Sequence, residues 1–271
     1  MPVKRSSVRP RDLSDYVDHL QSSGRYTFLK QEAIAALGVS EIAFQSSVRR
    51  LAAKGRIVTP RRGFHVIVPV EYRQAGAPPP SWFIDDLMKF HGLPYYVGLL
   101  SAAALHGAAH QQPQEFQVIT ETSLRPITVG RTRIRFILKW HLAETPTTEV
   151  KTETGAMRVS TPEATALDLV RYMGKAGHLG NVATVLSELS ERISPERLVE
   201  AAQTEIELSI VQRVGFLLDH FASPRVAAPL AEWLATKRLR PVPLRPERSP
   251  KVSERDARWK ILVNEQVEVD V

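Results

Sequence analysis

Residues 30–68 read KQEAIAALGVSEIAFQSSVRRLAAKGRIVTPRRGFHVIV, and the order of helix, turn and strand signals in them decides the fold. A short helix is expected at about 30–37, with Ile34 and Leu37 inward. It is closed by Gly38, a residue that readily takes the left-handed conformation ending helices. Ser40 offers an N-cap oxygen to the next helix, roughly 41–54. On that helix Phe44, Val48 and Leu51 fall at i, i+4 and i+7 and form one apolar stripe. Gln45, Ser46, Arg49 and Arg50 occupy the opposite face, Lys54 sits near the C-terminal end, and Gly55 stops the helix. Ile57-Val58 and Phe64–Val68 are β-branched or aromatic runs, with Pro60-Arg61-Arg62-Gly63 read as the turn between them.

Upstream, residues 12–23 place Leu13, Tyr16, Val17 and Leu20 at helical spacing, and Gly24 ends the run. Two helices, a turn, a third helix and a hairpin are the order of a winged helix-turn-helix. The charge distribution gives this segment a partner. From Met1 to Ala77 there are 13 Lys/Arg against 6 Asp/Glu, whereas from Pro78 to Val271 there are 23 of each, so the whole net charge of +7 lies in the N-terminal segment. A cationic excess confined to one small module points to a polyanion.

Double-stranded DNA is the expected polyanion, because no row of aromatics offers the stacking platform that single strands use. On this reading Gln45, Ser46, Arg49 and Arg50 face the major groove. There Arg pairs bidentately with guanine and Gln with adenine, each good pair worth roughly 1–3 kcal/mol of discrimination. Lys54, Arg61 and Arg62 would meet the phosphate backbone or a minor groove. The competing reading is a winged helix that mediates protein contacts, since every surface helix turns a polar face outward.

Residues 74–81 (QAGAPPPS) carry three consecutive prolines and read as a linker. The charge balance changes here, which places a boundary at about 77: residues 1–77 a DNA-binding domain, residues 78–271 a larger effector domain. The second part alternates. Helices are expected at 82–91 and 97–109, strands at 115–120, 125–129, 131–140 and 155–160, then helices at 163–173, 180–192, 195–203, 206–221 and 225–236. Residues 240–250 read as a Pro-rich linker or wrapping arm, and Trp259–Val263 and Val267–Val271 as terminal strands. The fold class is therefore α+β, a winged helix-turn-helix plus a larger mixed α/β domain with a helical C-terminal portion.

Composition narrows the chemistry. A 43% hydrophobic content supports a real core, and the absence of Cys removes disulfides, Cys-zinc fingers and thiol catalysis. MPVKRSSVRPRD has charge but no apolar segment behind it, so no secretory signal is read there, and no apolar run approaches the roughly 18 residues of a membrane span. A cytoplasmic protein is expected, with no membrane partner. No Walker A loop, G-x-G-x-x-G or G-x-S-x-G is present, and no cofactor or metal site is expected.

Four weaker features have bland readings beside the active ones. His106 and His110 lie four apart but lack a third ligand, and His106 reads as a helix-terminal residue satisfied by backbone. Glu149-Val150-Lys151 matches half of a restriction-type nuclease site, yet sits in a Thr-rich segment rather than a clear strand. Asp85-Asp86 reads as acid in a helix first turn. Arg131, Arg133 and Arg135 alternate along a strand, either as a second anionic surface or as a solvated face paired with nearby acids.

Tyr96 to Gly107 (YVGLLSAAALHG), read as a helix with the pattern Tyr-x-x-x-x-Ser-Ala-Ala-x-x-His-Gly, and Ser160 to Leu169 (STPEATALDL) follow the winged helix in order. In this the chain resembles the AbiEi antitoxin family of type IV toxin–antitoxin systems, over roughly residues 12–240. The resemblance implies a bifunctional, non-enzymatic protein. Its N-terminal domain would bind promoter inverted repeats of its own operon, a target whose symmetry predicts two copies. Its C-terminal domain would counter a co-encoded nucleotidyltransferase-like toxin without needing a stable complex. The family's DNA-contacting surface maps onto the 41–54 helix and the 60–63 turn, and no antitoxicity residue carries over. The alternatives are a metal-dependent nuclease targeted by the winged helix and a protein–protein adaptor.

Overall fold

In the computed structural model, which describes residues 10–108, 114–248 and 254–268, the chain begins with α1 (Leu13–Ser22), β1 (Thr27–Leu29), α2 (Lys30–Leu37) and α3 (Glu41–Ala53). β2 (Ile57–Arg61) and β3 (Phe64–Ile67) follow as the hairpin. Asp12 caps α1 by accepting from the Ser14 and Asp15 amides, and Ser40 caps α3 through the Ala43 amide. Gly38 holds φ 65° at the end of α2. Leu13, Tyr16, Val17, Phe28, Phe44, Leu51, Ile57 and Ile67 close one small core, so the periodic stripes on α1 and α3 face each other across it.

Two details depart from the sequence reading. β1 is an additional strand, antiparallel to β3, and makes the wing a three-stranded sheet in the order β1-β3-β2. The hairpin turn is also shorter than expected. Pro60 and Arg61 belong to β2, leaving Arg62-Gly63 as the connection. A register shift between Val58 and Arg61 accommodates Pro60, which has no amide hydrogen for the ladder.

The second part is built on a six-stranded mixed sheet. Its strands are β4 (Tyr95–Val97), β5 (Glu115–Thr120), β6 (Ile127–Val129), β7 (Thr132–Leu138), β8 (Thr147–Thr152) and β9 (Gly155–Ser160), in the order β6-β7-β5-β4-β9-β8. Alternation along the strands sends residues to two faces. Tyr96, Ile119 and Ile137 enter the larger core, formed with α5 (Leu99–Leu105), α6 (Pro162–Arg171), α7 (His178–Leu189), α8 (Pro195–Gln203), α9 (Leu208–Phe221) and α10 (Pro224–Ala235). Tyr95, Val97, Val118, Ile134, Met157 and Val159 face the other way, against Phe83 and α4 (Ile84–His91).

That second face is shared with the winged helix. Phe64 and Val66 of β3 lie in the same cluster as Ile84, Leu87, Met88, Ile127 and Val129. The 74–81 segment connects the two parts but is packed rather than a free tether: Ala77, Pro78 and Pro80 are buried. Gly130 makes this possible. A Cβ there would fall 2.3 Å from the Ala75 carbonyl oxygen, and the Arg131 amide donates to that same oxygen at 3.0 Å.

The expected helix at 97–109 is shorter, α5 alone: Val97 belongs to the strand β4, Leu99 takes φ 52° in the passage between them, and 109 lies outside the described residues. Glu149-Val150-Lys151 lies on a strand after all, at the sheet edge in β8, with both charged side chains exposed. Beyond α10 the chain wraps back. Leu244 and Trp259 are fully buried, and β10 (Val242–Pro243), β11 (Glu254–Asp256) and β12 (Ile261–Val263) form a small sheet. Residues 240–248 are thus a wrapping arm; 249 and 250 lie outside the described residues. Val267 and Glu268 form no strand, and 269–271 lie outside the described residues. No helix among the described residues is long and apolar enough to cross a membrane.

Candidate nucleic-acid interface

α3 sets the geometry of the N-terminal site. With Phe44 and Leu51 buried, the helical repeat turns Gln45, Ser46, Arg49, Arg50 and Lys54 outward, and all five are exposed. Arg62 is exposed at the hairpin connection. Gln45, Arg49 and Arg62 line one groove of about 190 Å³ between α3 and the hairpin, over Phe44, Val48 and His65. Residues 17 apart in sequence, Gln45 and Arg62, thus share one concave surface.

Local pairing decides which cations remain available. Arg25 pairs with Glu32, Lys30 with Glu41 and Arg56 with Asp18. The Lys30 ammonium holds the Glu41 carboxyl below the usual carboxylate range, and Arg62 and Gln45 add to the effect. Glu41 is therefore ionised and already compensated. Arg50 donates to the Ser47 hydroxyl at 2.8 Å. Among the described residues, Arg49, Arg50, Lys54 and Arg62 form no ion pair with a carboxylate, and Arg49 and Arg62 share the groove.

Arg61 behaves differently from its neighbour. It is half-buried in β2, and its guanidinium donates to the Arg125 carbonyl in the connection before β6. It joins the hairpin to the sheet domain rather than standing at a free tip. Thr27 makes a second joint of this kind by donating to Asp86. His65 lies beneath the groove, stacked on Phe28 at 5.0 Å and edge-on to Phe44 at 5.6 Å. Burial pushes its imidazole down to about 4, so the ring is neutral near pH 7, and Nδ1 lies 2.9 Å from the Thr59 hydroxyl.

Sequence reasoning passed over Ile42. It is 79% exposed on the first turn of α3 and lies on the outward face with Ser46 and Arg49. An apolar residue in a helix is ordinarily assigned to the core, so its signal was the mismatch with the stripe set by Phe44, Val48 and Leu51.

The remaining features settle into the framework. Arg133 and Arg135 pair with Glu115, at 3.2 and 2.5 Å, as a solvated strand face does. His106 ends α5 and places Nε2 2.7 Å from the Ser160 carbonyl oxygen, so that nitrogen carries the proton; His110 lies outside the described residues. Thr161 caps α6, Pro162 opens it, and buried Glu163 accepts from the Ser194 amide at 2.9 Å. Asp85 accepts from Tyr95 at 2.9 Å and pairs with Lys89 at 2.6 Å. Among the described residues no group of three His, Asp or Glu side chains is placed to hold a metal ion. A second concavity of about 310 Å³ opens beside Lys139, Arg171 and Tyr172, with the exposed Trp140 and Ile206 in its lining.

Fold and site together define a winged-helix protein carrying a larger α+β domain. Residues 15–68 match the family described as transcriptional regulator, AbiEi antitoxin, and residues 96–220 match the AbiEi antitoxin C-terminal domain. The chain belongs to the AbiEi-like antitoxin family, whose two descriptions are regulatory rather than enzymatic. The crystal structure of the RV2827C protein from Mycobacterium tuberculosis is similar over 93% of each chain, with a TM-score of 0.66 and 18% sequence identity, a likeness of fold. No curated protein matches the chain.

Proposed function

We propose that this protein is the antitoxin and transcriptional autorepressor of a type IV toxin–antitoxin operon. Residues 1–77 bind inverted repeats in the promoter of that operon, and residues 78–271 counter a co-encoded nucleotidyltransferase-like toxin. Gln45, Ser46, Arg49 and Arg50 read or flank bases, Lys54 and Arg62 hold the backbone, and Arg61 fixes the hairpin against the sheet domain. An inverted repeat takes two copies of the chain, one per half-site. Toxin and antitoxin need not form a stable complex.

The observation that supports the DNA reading best is the groove between α3 and the hairpin, where Gln45, Arg49 and Arg62 converge while the nearby acid Glu41 is already neutralised by Lys30. The match of residues 96–220 to an antitoxin domain supports the second role. A gel shift with DNA from upstream of the gene tests the first. The wild-type chain retards that DNA, and Arg49→Ala/Arg50→Ala, with unchanged circular dichroism, does not. A double variant that still retards it at moderate salt assigns the wrong helix. Co-expression with the product of the neighbouring gene tests the second, with restored growth expected and continued toxicity refuting it.

A further inference from the structure

Ile42 is the most exposed large hydrophobic side chain among the described residues, at 79%, and it lies in the face assigned to DNA. It is absent from the lining of the groove between α3 and the hairpin, and it belongs to none of the three hydrophobic clusters. Nothing in the packing of the described residues requires Ile there. A β-branched residue is also a poorer helix former than the straight-chain alternatives.

Its neighbours are chemically specific. Ser46 and Arg49 stand four and seven residues on, one and two turns along the same face, and Gln45 flanks them. The result is one aliphatic side chain beside hydrogen-bonding and cationic ones, at the N-terminal end of a helix. Helix-turn-helix proteins bring that end of the recognition helix to the base edges. The major groove offers one apolar feature, the C5-methyl group of thymine. The surrounding cations suit a polyanion, which an apolar protein patch would not supply.

We infer that Ile42 is a specificity-determining residue that recognises a thymine C5-methyl group in the major groove of the bound duplex. The inference rests on the DNA-binding reading above.

The test uses the full chain and duplexes recovered by it from a randomised pool. Each thymine in a recovered site is replaced in turn by uracil, which removes the methyl group and leaves the hydrogen-bonding edge intact. Wild-type protein should lose about fourfold in affinity at one thymine, the worth of one buried methyl group. Ile42→Ala, a substitution at an exposed site, should bind the thymine and uracil duplexes equally. A wild-type chain indifferent to every uracil, or an Ile42→Ala chain with undiminished sensitivity, overturns the inference while DNA binding stands. A pool from which no duplex is recovered overturns it together with the DNA-binding reading.

Discussion

Lys139 Nζ lies 2.7 Å from Oδ1 of Asp168, a carboxylate with no solvent exposure, and the Tyr96 hydroxyl donates to Oδ2 of that carboxylate at 2.7 Å. Tyr96 opens the first segment that carries the family resemblance, and Asp168 lies in the second. The residues that look like a motif in sequence are therefore the polar joint between β4, α6 and the end of β7. Lys139→Met would leave that carboxylate buried without its cation, a loss of about 3–5 kcal/mol. Urea denaturation followed by circular dichroism measures it. Lys139→Met/Asp168→Leu removes both charges and should recover much of the loss. A single variant as stable as wild type would show that Asp168 is solvated in solution.

Gly215 sits inside α9, where Ala would normally stabilise a helix by about 1 kcal/mol. Here an added Cβ would fall 1.9 Å from the ring of Trp259, which is fully buried and donates Nε1 to Asp219 at 2.9 Å. Steric overlap outweighs propensity. Gly215→Ala should cost roughly 1–3 kcal/mol, and displacement of the indole should shift tryptophan emission to the red. A more stable variant with unchanged emission would mean that the C-terminal arm does not hold Trp259 against α9.

His65 makes the winged helix sensitive to acid. Its folded-state value near 4 lies below the ordinary imidazole value of 6.5, so the unfolded chain binds the proton more readily. The stability linked to this group is complete above pH 7 and declines as pH falls through 6.5 toward 4. The slope approaches 1.4 kcal/mol per pH unit and the total is about 3 kcal/mol. Comparing wild type with His65→Gln between pH 7.5 and 5 isolates the group from most carboxylate titration. Parallel stability curves for the two proteins over that interval would contradict the burial of His65.

The elements most legible in the sequence are those whose reading depends on local spacing. α1, α2 and α3 follow from apolar periodicity and from Ser40, Gly24, Gly38 and Gly55 at their ends, and the outward placement of Arg49 and Arg50 follows from the same arithmetic. β1 was missed because three residues carry no period. Val97, the last residue of β4, reads as the start of the helix that follows, because VGLLSAAAL is one apolar and small-residue run and only the positive φ of Leu99 divides it. β8 has the composition of a loop, with pairing to β9 supplying what its side chains do not. The distinction between Arg61 and Arg62 was beyond reach for another reason: it depends on the Arg125 carbonyl, 64 residues away.

That distinction supplies the last prediction. Arg62 is exposed on the groove, so Arg62→Ala should weaken binding across sequences. It should also lower the slope of log affinity against log salt by about one, the signature of one lost phosphate contact. Arg61 is anchored to the sheet domain, so Arg61→Ala should leave that slope nearly unchanged. Its cost falls on the seating of the hairpin, seen as earlier amide exchange in β2 and β3. If Arg61→Ala lowers the salt slope as much as Arg62→Ala does, both guanidiniums reach phosphate, and the link from Arg61 to Arg125 gives way when DNA is bound.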